Sequence, residues 1–183
     1  MANTGMRRLQ YAILNLDGTY GVPKMMGGAI GASISPNFAE ASLYSDDTLK
    51  EYISSFQSAT ISLTVDDDDD KIFAQLLGKN YDEVTKLVSS SVNDTSPFVG
   101  ISYITNKIQN NIQRWRSQFF PKVKFKPFIP EAKTKGDSIE FSPITIEGLT
   151  LANSLGIWET HLDTGAETEA ILEANRFFES EVA

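Results

Sequence analysis

Along much of this chain, apolar and polar side chains alternate with a period of two. From Ser58 to Val65, Ile61, Leu63 and Val65 fall on one side and Thr60, Ser62 and Thr64 on the other. That is the pattern of a strand with one buried and one wet face, which suits an antiparallel sheet. Leu9 to Leu16 reads as another strand, ended by Asp17-Gly18 and followed by a second turn signal at Gly21-Val22-Pro23. Over Ala29 to Ser35, Ile30, Ala32 and Ile34 take one face while Gly31, Ser33 and Ser35 take the other. Pro36-Asn37 is expected to break that strand, with Phe38 to Tyr44 returning as its partner. The span of about 45–56 reads as a long polar loop, a place where function commonly resides.

Farther on, Phe98 to Ile108 and Ile112 to Phe120 predict a hairpin through Gln109-Asn110-Asn111. Lys122 to Lys126 alternates strictly, with Val123 and Phe125 opposite three lysines. Between Ile139 and Leu151 the apolar parity changes, and a bulge at Ser142-Pro143 would return Ile139, Phe141, Ile144 and Ile146 to one face. Ile157 to Leu162 is the last predicted strand.

Two segments switch to helical spacing. Five aspartates, Asp66 to Asp70, precede Ile72, Phe73, Leu76 and Leu77 on one stripe, predicting a helix over about 67–77. The acidic start suits the positive end of the helix dipole, and Gly78 is placed to end it. A C-terminal helix over about 167–180 buries Ala170, Ile171, Ala174, Phe177 and Phe178. Eight to ten strands with two helices predict a mainly-β chain, an antiparallel sandwich or barrel carrying helices at its margins, as a single domain over 1–183.

Composition narrows the chemistry. There is no cysteine and one histidine, so neither a disulfide framework nor a thiolate metal site is available. The opening Met1-Ala-Asn-Thr-Gly lacks the apolar run of a signal peptide, and no stretch approaches the roughly 18 apolar residues of a membrane span. Synthesis and folding in a cytoplasm are the expectation. A formal charge of −8 argues against sequence-reading contacts with nucleic acid, which need clustered Lys and Arg.

Candidate sites are few. An EF-hand beginning at Asp66 would need glycine at its sixth place and glutamate at its twelfth, where Lys71 and Leu77 stand. Gly27-Gly28-Ala-Ile-Gly31 matches neither a P-loop nor a dinucleotide fingerprint. His161 shares a strand face with Glu159 and Asp163, too thin a set for a metal site and without a nucleophile motif. No catalytic, metal or cofactor residues are therefore assigned, and no enzymatic activity is expected. Lys122, Lys124 and Lys126 form a basic stripe, with Arg114 and Arg116 before it. Asp46, Asp47, Lys50 and Glu51 in the polar span, together with that stripe, are the candidate contacts between copies, with the Asp66–Asp70 run as a further acidic complement.

Several short stretches, in order along nearly the whole chain, resemble the major tail tube proteins of long-tailed (siphovirus-type) bacteriophages. They are Asn3-Thr-Gly-Met-Arg-Arg-Leu-Gln-Tyr11-Ala12, Gly28-Ala29 through Ser35-Pro36, and Leu43-Tyr44-Ser-Asp46-Asp47. Leu76-Leu77-Gly78, Asn93-Asp94 through Pro97, Lys122-Val-Lys-Phe125, Thr134-Lys-Gly136-Asp-Ser-Ile-Glu140-Phe141 and Gly148 continue the series. The resemblance implies a β-sandwich with a flanking helix that assembles into stacked hexameric rings. It also implies a virion tail location, without enzymatic activity or cofactors. Implied partners are further copies of the chain, a tape-measure protein, a tail terminator, and distal tail or baseplate proteins, with DNA passing transiently through the bore. The alternatives are a tube subunit of a related injection or secretion device, and a carbohydrate-binding β-sandwich. The last needs an exposed aromatic platform, for which Trp115 and Trp158 are the only tryptophans.

Overall fold

A computed structural model describes residues 2–66, 69–109, 112–129 and 143–179. It is mainly β. In chain order come β1 (Ala2–Ile13), β2 (Lys24–Met25), β3 (Ala29–Ser45), β4 (Thr48–Val65), α1 (Asp70–Leu77), β5 (Asn80–Tyr81) and β6 (Val88–Ser89). Then follow β7 (Phe98–Gln109), β8 (Ile112–Phe125), β9 (Ile144–Thr150), β10 (Thr160–Thr164) and α2 (Glu167–Arg176). One antiparallel sheet runs β2-β1-β7-β8-β9-β4-β3, with β10 branching onto β8. A separate ribbon is formed by β5 and β6.

The link between the two halves of the sheet is narrow. Only Val123, Lys124 and Phe125 of β8 pair with β9, while Trp115 to Phe119 of the same strand pair with β10. The halves fold over a shared core containing Leu9, Tyr11, Ile61, Leu63, Val99, Ile101, Phe120, Val123 and Ile146. β3 comes to lie against β1 without bonding to it, so the sheet curls but does not close into a barrel.

Bulges decide which side chains enter that core. Val99 pairs with Val123 and Ile101 with Phe120, so Pro121 and Lys122 stand opposite Gly100 alone. The extra residue exchanges the faces of β8. Trp115 and Phe119 consequently pack toward α2, whereas Val123 and Phe125 enter the main core. Lys122 to Phe125 is therefore the end of β8 and not a separate segment, with Lys126 just past it. A similar bulge corrects the reading of β3. Ala29 pairs with Val65 and Gly31 with Thr64, which leaves Ile30 outside the alternation and exposed. Ala29, Ala32 and Ile34 pack on the core instead.

Two further expectations are overturned here. Pro36-Asn37 does not end the strand: Pro36 pairs with Ala59 and β3 continues to Ser45. β3 is the last strand of the sheet, so a residue without an N–H removes no ladder bond on its free side. The span of about 45–56 is not a loop either. It is the tip and outgoing strand of a hairpin, with β4 beginning at Thr48. Its polarity reflects exposure of the strand on both faces, not absence of regular structure.

The helices follow the expected stripes but are shorter than expected: α1 starts at Asp70, and α2 ends at Arg176, so Phe177 and Phe178 lie past the helix. Asp69 caps α1 by accepting from the backbone N–H groups of Lys71 and Ile72, and Phe73, Ala74, Leu76 and Leu77 are buried. Gly78 ends the helix at φ 68°, where a β-carbon would also strike the Thr95 carbonyl. On the opposite side of the sheet, α2 packs Ala170 and Ala174 against Ile104 and Trp115, and Phe178 joins Phe119 and Ala12. Ser117 Oγ donates to the Ala170 carbonyl at 2.8 Å, anchoring α2 to β8. The predicted Ile139, Phe141 and Ser142 positions lie outside the described residues, as does the tip of the β7–β8 hairpin at 110–111.

Candidate assembly surface

β4 is joined to β9 only from Ala59 onward, where Ala59 pairs with Thr150. Beyond that point, among the described residues, β3 and β4 pair only with each other, from Asn37 to Ser45 on one side and Thr48 to Ser58 on the other. At about 3.3 Å per residue the ribbon reaches roughly 33 Å past the last three-stranded position. Asp46 and Asp47 form its tip, with φ of 53° and 58°. Two successive left-handed residues define the hairpin turn whose twist matches its strands, and aspartate is among the few non-glycine residues that enter this region readily. The Thr48 hydroxyl donates to the Ser45 carbonyl across the turn.

Both faces of this arm carry apolar side chains interspersed with polar ones, and both are in water. Phe38, Tyr44, Leu49 and Tyr52 share one face, and Ala39, Ala41, Leu43 and Ile53 share the other. Phe38 is 43% exposed, Tyr44 67%, Tyr52 53% and Ile53 58%. At the root of the aromatic face Phe56 stacks on Trp158 with ring centroids 4.7 Å apart, and Phe38 meets Phe56 edge-on. Glu40 accepts a hydrogen bond from the Tyr52 hydroxyl, which holds that phenol above its ordinary range. A free two-stranded ribbon is marginal in water, and its outer edges offer unpaired N–H and C=O groups.

The candidate contact residues divide between two places. Asp46, Asp47, Lys50 and Glu51 cluster at or near the arm tip, all exposed. The stripe lies in the body, where the ammonium groups of Lys122 and Lys124 sit over the Phe98 ring, 4.8 and 5.4 Å from its centre. Lys126 pairs with Glu147 at 3.3 Å, both well exposed, a contact worth little in water. Arg116 forms a two-pronged bond to Asp163, which holds that carboxyl below its usual range. Among the described residues no ion pair joins the arm tip to the stripe within one chain. The Asp66–Asp70 run is partly committed to the fold: Asp66 accepts from the Gly28 N–H and Asp69 caps α1.

The outer face of the β3–β4–β9 layer is lined by Gly31, Ser33 and Ser35, then Thr60, Ser62 and Thr64, then Thr145, Glu147 and Leu149. Thr64 and Thr145 hydroxyls meet at 3.0 Å. No Lys or Arg belongs to these positions. His161 Nδ1 contacts Glu159 at 2.9 Å while Asp163 is held by Arg116, so the three do not converge on one point.

Reading the sequence missed the arm because Asp46-Asp47 is a weaker turn signal than Asn-Gly or Asp-Gly. The polar residues after it also masked the alternation that leads to Phe56. Compared with known proteins, the chain matches no family model and no curated protein. No helix among the described residues is long and apolar enough to cross a membrane.

Proposed function

We propose that this chain is a structural subunit of a bacteriophage tail, joining copies of itself into stacked hexameric rings that form the tube through which DNA leaves the capsid. The observation that carries the reading is the β3–β4 arm: nine residue pairs of sheet with no third strand among the described residues and apolar side chains on both faces. Beyond the Phe56–Trp158 contact at its root, nothing among the described residues covers the arm, and a neighbouring copy offers both a sheet edge and an apolar surface. The hydroxyl-rich face of β3, β4 and β9 supports the same reading. The β3 and β4 positions of that face lack the fixed positive charge that would capture phosphate, whereas its β9 border meets Lys124 beside Leu149 and Lys126 on Glu147, so a bore lined by β3 and β4 would let DNA slide past. The tape-measure, terminator and baseplate partners belong to this proposal through the family resemblance alone.

Electron microscopy of concentrated protein tests it. Rings or tubes are the expected product, and deletion of residues 38–56 should leave a folded monomer that forms neither. A protein that stays monomeric at every concentration refutes the proposal.

One observation favours a second reading. The Phe56–Trp158 stack continues edge-on into exposed Phe38, with exposed Tyr52 farther along the same face, an aromatic platform of the kind that binds sugar rings. Glycan binding by the monomer, lost in Trp158→Ala, would favour a carbohydrate-binding module instead.

A further inference from the structure

The two strands of the arm do not run in step. Asn37 pairs with Ser58 and Phe38 with Phe56, so Gln57 is an extra residue in β4. Leu43 pairs with Glu51 and Tyr44 with Leu49, which makes Lys50 a second one in the same strand. β3 has no extra residue over this stretch. An extra residue on one strand bends it and increases the local right-handed twist.

The bulge at Gln57 sits at the root of the arm, two residues before Ala59, where pairing of β4 with β9 begins. Inside the three-stranded layer an extra residue would interrupt two ladders; here it interrupts one. Directly beyond it Phe56 stacks on Trp158, so the bent root is clamped to the body. The exposed Gln57 side chain adds little, since its only bond among the described residues is a long one, 3.5 Å from Asn37 Nδ2. Small changes of direction at the root are magnified at the tip. A turn of about 10°, under half the ordinary twist between neighbouring strands, swings a tip about 33 Å away by roughly 6 Å. Paired strands lie about 4.8 Å apart, so such a swing carries the arm away from an edge or surface that it would otherwise meet.

We infer that the extra residue at position 57 aims the arm, and that assembly depends on the backbone count of β4 there and not on the chemistry of the glutamine. Removing Gln57 restores a regular ladder in which Ser58 still faces Asn37 and Phe56 still faces Phe38. The monomer then loses no core contact, while the apolar faces of the arm keep their side chains and point elsewhere. Lys50 lies near the tip and acts through a short lever, so its bulge shapes the end of the arm more than its direction. The inference rests on the reading that copies join through this arm, and adds what sets the arm's direction.

Two variants separate backbone from side chain. Gln57→Ala keeps the residue count and should assemble within about twofold of the native critical concentration. Deletion of Gln57 should leave the urea midpoint of the monomer unchanged or higher. It should raise the critical concentration at least about tenfold, as expected when large apolar side chains lose their cover. Tubes from the deletion at the native concentration, or an equal loss in Gln57→Ala, overturn the aiming role and leave the tube reading standing. A deletion monomer that unfolds at lower urea overturns it as well, because the extra residue then serves the fold. Native protein that never assembles overturns both readings.

Discussion

Replacing Tyr52 and Ile53 together with alanine removes one large side chain from each face of the arm. Tyr52 is 53% exposed and Ile53 58%, so neither change opens a cavity in the monomer. Surface substitutions of this kind move folding stability by about 0.5 kcal/mol or less. In an assembly that covers the arm, each residue would bury the remaining half of its surface. Full burial of such a side chain contributes about 1.5–3 kcal/mol, so half of it is about 0.75–1.5 kcal/mol, or roughly 1.5–3 kcal/mol for the pair. At about 1.4 kcal/mol per factor of ten, the critical concentration for assembly should rise roughly 10- to 150-fold. Pelleting across a concentration series, with micrographs of the pellets, measures that shift, and urea unfolding monitors the monomer. An unchanged critical concentration, with monomer stability also unchanged, would show that the arm is not buried on assembly and remove the main support for a self-joining subunit.

Other consequences follow from the fold itself. Gly78→Ala forces a β-carbon into a left-handed position and onto the Thr95 carbonyl, and should cost about 2 kcal/mol or more in urea unfolding. Asp69→Ala removes the cap of α1 and should cost about 1 kcal/mol by the same assay. Asp163 has its pKa lowered by Arg116, so its contribution to stability is present above the unfolded value near pH ~4 and is lost as pH falls below it. Acid unfolding of Asp163→Asn should accordingly show less pH dependence in that range, and an identical profile would contradict the pairing. Tyr11 is pushed up to about 12, chiefly by burial and secondarily by Asp69. Its stabilising effect is complete below the unfolded value near pH ~10 and fades as pH rises toward the folded one, so Tyr11→Phe should flatten alkaline unfolding there.

The local grammar of the chain is legible without coordinates. Strict alternation over Ser58 to Val65 assigns Ile61, Leu63 and Val65 to the core, where each is fully buried, because a pleat leaves each side chain only two directions. The acidic start and glycine end of α1 are equally readable, since capping chemistry acts within a few residues. The same holds for the stripe of α2, where Ala170 and Ala174 are buried. Which face of a strand meets which layer is settled by pairing across distant segments. The parity of β8 reverses at Pro121-Lys122 only because Gly100 stands opposite, and Pro36 is tolerated only because β3 has no further neighbour. The arm is the sharpest instance. Residues 45–56 look like a polar loop because strands exposed on both faces need no apolar side, and only the partner strand 38–44 makes them a ribbon. The bulge at Gln57 is likewise invisible in one dimension, because it exists only as the count of β4 against β3. Short-range physics writes itself into neighbouring residues, whereas surfaces shared between remote segments arise only when the sheet has curled.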